Sequence, residues 1–543
     1  MSKAHLMRSD RLATTAIVVG ILVAACVVQW HAVVSFFSAD DLIHLEQAAG
    51  LLPTPVMPWR YLSQVLYFRA MLWVFGPWPT AFMSCNLLLH LANALLVYAI
   101  ALRASGSRAT AALASVLFAA CPLLSIVIGH AVVINDISAL TFALVMIRAM
   151  QSGRARLLAV LSFVVGLMCK ESVLLLPFLA MIPGTSSLWP QGRLRVLKHL
   201  LPIVICVALA LSWARVHGWA PAGEAYAVAL WPAPFHNLMT YTRWFLGLNQ
   251  ALPDLVRSLD PQAWHIGLPF IAMMVGLAVV LRNARALICL GLGWWILGLG
   301  PVLLFTHSTY PHYMYVALPG LAIAVAAATS AAFTAIWDWY AVHRGGVGRR
   351  GPAEQFARAS VVILIVIAYS VQAARLVGER YSLRVEGSEY PLDPQIRSMV
   401  VAGRAVYSLA ADPPQPHTRL AILTGLGSVQ VWGARSGLAH TLASVPQGAY
   451  DLVSAVLDGG RALRVFFPQL DSVVCSPSWN RGLRGFSVAV SVGNGELVSY
   501  GPGLTDNLAV ARDLAHTGDL AGAAAYRESL QVAYPEERLL KRN

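Results

Sequence analysis

A chain of 543 residues that is 57% hydrophobic and 12% charged, with a mean hydropathy of +0.63, has too little charge to cover a water-soluble surface of its size. Lipid is therefore the solvent for much of it. The net charge of +13 does not mark a nucleic-acid binder, because the basic residues recur in short segments between apolar runs and form no single patch.

A helix needs roughly 20 apolar residues to cross roughly 30 Å of hydrocarbon. Eleven runs read as spans: 12–35, 80–102, 109–128, 131–149, 156–169, 171–185, 197–214, 264–281, 286–305, 313–336 and 359–377. The fifth and sixth are short and meet at Lys170-Glu171, as two shallow helices or one kinked pair. The first run is too long for a signal-peptide core, and ten more follow, so it reads as a retained helix. With the N-terminus in the cytoplasm, the inside segments hold sixteen Lys and Arg and the longer outside segments hold six. That asymmetry is the positive-inside pattern. An odd span count then puts the C-terminal part on the outer face. Arginine far outnumbers lysine, a composition of GC-rich bacteria, so the membrane reads as a bacterial inner membrane and the outer face as periplasmic.

The expected fold is thus an all-α polytopic membrane domain over 1–377, followed by a soluble domain over 378–543. Two outer loops, 36–79 and 215–263, are rich in Trp and Tyr and read as short helices lying in the membrane–water boundary. In the soluble part, 420–423, 463–467 and a hairpin over 486–500 read as strands, with helices near 394–410 and 446–458. That is a small α/β domain. Residues 507–535 read as two helices that resemble one tetratricopeptide pair. The seven cysteines have no metal-ligand spacing and read as small apolar residues.

The residues that carry chemistry lie at one membrane face. Asp40 and Asp41 follow the first span directly. Two carboxylates at that boundary can bind a cation or take a proton from a hydroxyl, although Ser38 beside them also suits a helix cap. Arg60 opens the next amphipathic stretch. Asn86, His90 and Asn93 share one helical face and point into the bundle, as ligands or as interhelical hydrogen bonds. Asp136 is an ionisable group at membrane depth. Lys170 and Glu171 interrupt an apolar run, and a lysine is a compact charge suited to phosphate. Arg243 lies in the second outer loop, and His307, His312 and Tyr313 lie in FTHSTYPHYMYVALPG. A shared outer cavity accounts for all of these sets.

An acidic pair after the first helix resembles the GT-C glycosyltransferases. Arg60, Asn86-x-x-x-His90, Lys170-Glu171 with Pro177, and PHYMYVALPG resemble their tetratricopeptide-linked O-mannosyltransferase-like group over roughly residues 12–340. Tyr61 stands where that group often has proline, and the helical repeats are reduced to one pair. The resemblance implies a sugar transferred from a polyprenyl-phosphate donor to an acceptor hydroxyl of a protein or glycan, with inversion and without a predicted metal. Asp40 or Asp41 would be the general base. Lys170 is the first choice to hold the donor phosphate, with Arg60, Arg243 and His312 behind it. A transporter or flippase, a ligase or polymerase of lipid-linked glycans, and a non-catalytic assembly factor are the rival readings.

Overall fold

In lipid every backbone N–H and C=O must find its partner within its own segment, so long apolar runs fold as helices. The computed structural model describes residues 3–54, 60–152, 156–183, 201–209, 227–248, 261–306, 309–343, 352–384, 390–424, 452–476, 486–491 and 497–500, with single positions between some stretches. Six helices among the described residues are long and apolar enough to cross a membrane. They lie in α1 (Lys3–Val33), α4 (Pro79–Ser105), α7 (Ile134–Ser152, with the turn before it), α11 (Pro261–Val280), α13 (Leu318–His343) and α14 (Pro352–Ser382). Shorter apolar helices are α5 (Arg108–Ala119), α8 (Arg156–Cys169) and α12 (Arg285–Leu299), and a further helix, α9, is described over 201–209.

Six helices of spanning length do not establish the expected count of eleven, and two of the expected runs break. The run 109–128 breaks at Cys121-Pro122, because proline has no N–H to continue the helix, and resumes as α6 (Leu124–Gly129). The run 171–185 is not an α-helix over its described residues. It forms two 3₁₀ turns, Glu171–Val173 and Leu176–Met181, with Pro177 near the start of the second.

Polar residues inside the bundle join helices. On α4, Asn86 donates to the carbonyls of His130 (2.7 Å) and Ile128 (3.3 Å), and Asn93 donates to that of Ile137 (3.1 Å). Close approach is made elsewhere by small residues. A methyl on Gly291 or Gly320 would overlap the partner helix, so these glycines let α12 and α13 pack backbone to backbone. The ends of α1 and α14 meet where His31 stacks on Tyr381 and Ser35 Oγ lies 3.1 Å from the Tyr381 hydroxyl.

Beyond the bundle, α15 (Pro394–Ala411) is capped by Asp393, whose carboxylate also forms a buried pair with Arg380 at the end of α14. A four-stranded sheet follows in the order β2–β1–β3–β4, from β1 (Arg419–Leu423), β2 (Ser472–Ser476), β3 (Ser487–Ser491) and β4 (Leu497–Tyr500). β1 runs parallel to both neighbours, and β3 and β4 form the antiparallel pair. The hairpin's turn and residues 507–520 lie outside the described residues, as does most of 521–535. The expected strand at 463–467 is instead a helical turn, α17 (Leu463–Phe466), after α16 (Leu452–Val456), and β2 was not foreseen. Short apolar runs have no periodicity that separates strand from buried helix.

Loop 36–79 holds α2 (Ala39–Ala48), a π-helical turn (Tyr61–Leu66) and α3 (Tyr67–Phe75). Trp73, Val74 and Phe75 are exposed on α3, as expected for a boundary helix. α2 departs from that expectation. Its Leu42 and Leu45 pack with Phe36, Phe37, Phe68 and Phe82 into one core with residues of α15, β1 and α17. The part beyond α14 and the segment 36–79 therefore share one packed core. Of loop 215–263, α10 (Ala233–Leu246) is the main described element.

Candidate functional site

The start of α2 sorts the two acids. Ser38 is the N-cap and Asp41 the third helical position, so a capping box forms: Ser38 N–H donates to Asp41 Oδ2 (2.9 Å) and Asp41 N–H to Ser38 Oγ (3.4 Å). Asp41 Oδ1 accepts from Val132 N–H at 2.7 Å, which ties α2 to the head of α7. Asp41 is wholly buried. Burial pushes its carboxyl above the usual range, against the pull of His130 and these N–H groups. Asp40 is exposed, in the first turn, where the helix dipole favours an anion. His44 lies one turn further on, over the Phe68 ring, and the charges of both acids reach it. Its spacing of four from Asp40 was the signal that could have found it.

Beside this helix head stands a chain of four charges from three segments. Lys170 follows α8 and donates to Asp136 Oδ2 at 2.7 Å, with side chains 9% and 3% exposed. Glu171, the next residue, turns the other way and pairs with Arg60 through two contacts, one of them Nε to Oε2 at 3.1 Å. Lys170 and Glu171 therefore do not neutralise each other; each has its partner elsewhere. The Arg60–Glu171 pair is the open one, at 33% and 28% exposure. Burial works against the Arg60 charge and Glu171 more than offsets it, so the guanidinium stays firmly protonated. Arg60 adopts a left-handed backbone, φ 67°, where the chain enters the π-helical turn. Ser63 of that turn donates to the Cys169 carbonyl at 2.9 Å and docks it on α8.

The segment before α13 roofs this chain. The Tyr313 ring stacks over Lys170 Nζ at 5.3 Å, and His312 packs edge-on to Tyr313. Burial, then the charges of Lys170, His130 and Arg60, drive the His312 imidazole well below its usual range, so it is neutral. The structure thus gathers Asp41, Arg60, Asp136, Lys170, Glu171, His312 and Tyr313, with Asp40 at the rim.

Of the remaining expected members, one stands apart. His90 lies deeper: its Nε2–H donates to the Ala119 carbonyl (3.0 Å), so Nδ1 accepts from Tyr315 OH (2.9 Å), which also accepts from Asn93 (3.1 Å). Both ring nitrogens are used, and His90 supports the roof from below. Arg243 is buried on α10, two residues after Tyr241. Tyr241 is turned toward Tyr310 and Tyr313. His307 lies outside the described residues. Among the described residues, no group of three His, Cys, Asp or Glu side chains stands close enough to share a metal ion.

No protein-family model and no curated protein matches this chain. Among solved structures it is similar to the crystal structures of ArnT from Cupriavidus metallidurans, bound to undecaprenyl phosphate and in the apo state. Each is 13% identical, with a TM-score of 0.44, over 88% of this chain and 93% of that one.

Proposed function

We propose that this protein is a membrane glycosyltransferase of GT-C type, which moves a sugar from a polyprenyl-phosphate-linked donor to the hydroxyl of a protein or glycan acceptor. The observation that carries the reading is that an exposed carboxylate, Asp40, and an accessible paired cation, Arg60, both lie within electrostatic reach of His44 at one end of an apolar helical bundle. The order of the motifs favours the tetratricopeptide-linked O-mannosyltransferase-like group, and the arginine asymmetry favours a periplasmic site.

The roles follow from exposure. Asp40 takes the proton of the acceptor hydroxyl as its oxygen attacks the anomeric carbon. The bond from that carbon to the phosphate oxygen breaks on the opposite side, which inverts the configuration. The departing lipid phosphate gains negative charge, and Arg60 is the cation that can reach it, since Lys170 is buried against Asp136. Asp41 spends both oxygens on backbone N–H groups and holds the helix head. A transporter also suits a buried Lys170–Asp136 pair, but all the charged pairs of the cluster sit at one end of the bundle.

The test is transfer from a labelled polyprenyl-phosphate sugar by purified protein. Asp40→Asn lowers the rate by about 10²–10⁴-fold without lowering the melting temperature. A near-normal rate removes Asp40 from the mechanism, and donor movement across proteoliposomes without transfer replaces the enzyme with a transporter.

A further inference from the structure

Helix α2 is only ten residues long, and isolated helices of that length are marginal. Its first turn carries Asp40, so whatever holds α2 sets where Asp40 stands. The start is tied to the bundle by Val132 N–H on Asp41. The last turn carries Glu46, whose side chain is fully buried. Glu46 Oε2 accepts from Arg461 Nε at 2.9 Å, and its Oε1 is buried with no hydrogen-bond partner. A carboxylate placed so deeply costs free energy unless it is paired, and the partner comes from the other side of the chain.

Arg461 is presented by a loop shaped for the purpose. Asp458, Gly459 and Gly460 have successive positive φ of 48°, 65° and 98°. Glycine adopts that backbone freely, whereas Asp458 does so against its Cβ. The turn brings the Asp458 carboxylate onto the same guanidinium, 3.2 Å from Nε, so Arg461 bridges Asp458 and Glu46. Around it, Phe36 stacks on Phe466 with ring centroids 5.7 Å apart and meets Tyr407 edge-on at 5.5 Å. Gly403 of α15 lets the Phe36 ring approach, since a methyl there would lie 3.2 Å from it.

We infer that the C-terminal body is part of the reaction machinery: its 458–461 loop clamps the far end of α2 through Arg461 on Glu46 and so positions Asp40. Arg461 and Glu46 are positioning residues, since neither lies at the reacting end of α2. The role of Asp40 is that of the proposed function, on which this inference rests; the clamp itself is a statement about α2.

Hydrogen–deuterium exchange of the full chain in nanodiscs tests it, with transfer kinetics alongside. In Arg461→Gln the amides of 39–48 exchange about ten-fold faster while those of α4 and α7 do not change, and kcat falls with donor KM unchanged. Arg461→Lys recovers part of the protection. Unchanged exchange of 39–48 in Arg461→Gln overturns the clamp. If β1 exchange also rises, the loop variant has loosened its own body, and Glu46→Gln decides, because it leaves the Arg461–Asp458 pair intact. There, faster exchange confined to 39–48 upholds the clamp, and no change rejects it. If the wild-type chain transfers no sugar, the proposed function fails while the exchange result still judges the clamp.

Discussion

Lys170 is a residue whose neighbours in space reverse what its neighbours in sequence suggest. A lysine next to a glutamate reads either as a self-paired turn or as a free charge for phosphate. In the folded chain its ammonium lies on Asp136, 2.7 Å away, under the Tyr313 ring. Removing one partner of a buried pair leaves the other charge uncompensated, a cost of about 3–5 kcal/mol. Lys170→Met therefore lowers the melting temperature in detergent markedly, and the double change Lys170→Met with Asp136→Leu recovers much of it. Equal melting of Lys170→Met and wild type contradicts this pairing. Asp40 and Asp41 were legible as a pair, but not their division of labour. Which carboxylate is buried depends on Val132, which reaches Asp41 only when α7 packs beside α2.

Among the elements, the roof segment before α13 shows how packing governs a site. The indole N–H of Trp294 on α12 donates to the Val316 carbonyl at 2.9 Å, and His90 and Asn93 hold the Tyr315 hydroxyl. The Trp294 bond requires α12 and the start of α13 to touch, and Gly320 permits that: a Cβ there would stand 2.7 Å from both Gly291 O and Trp294 Cγ. Gly320→Ala overpacks the contact at a cost of about 1–3 kcal/mol. It lowers both the melting temperature and the transfer rate, because the displaced roof carries Tyr313; a variant that melts and transfers as wild type would show that the contact has slack. Long apolar helices were legible from length alone. The breaks at Pro122 and Pro177 were marked by proline, yet whether a proline kinks a span or ends it depends on what takes up the freed backbone groups.

Across the whole molecule, the first loop and the C-terminal body share a core, and Glu46 sits in it beside Arg461 and Asp458. Burial and the Asp458 charge hold the Glu46 proton up to about 7, against 4.5 for a free glutamate. Between those values the folded chain binds more protons than the unfolded one, so stability falls as pH rises from about 4.5 to about 7. Melting of wild type drops over that window, and Glu46→Gln flattens the drop; an identical slope in both assigns the dependence to other groups. The sequence by itself determined the membrane class, the long apolar helices and the β3–β4 hairpin strands. Those follow from apolar run length and alternation, which are properties of neighbouring residues. Only the tertiary structure decided who pairs with whom: Lys170 with Asp136 across 34 positions, Arg60 with Glu171 across 111, and Arg461 with Glu46 across 415. A buried charge takes the partner that packing brings within reach, and that choice is made only when distant elements meet.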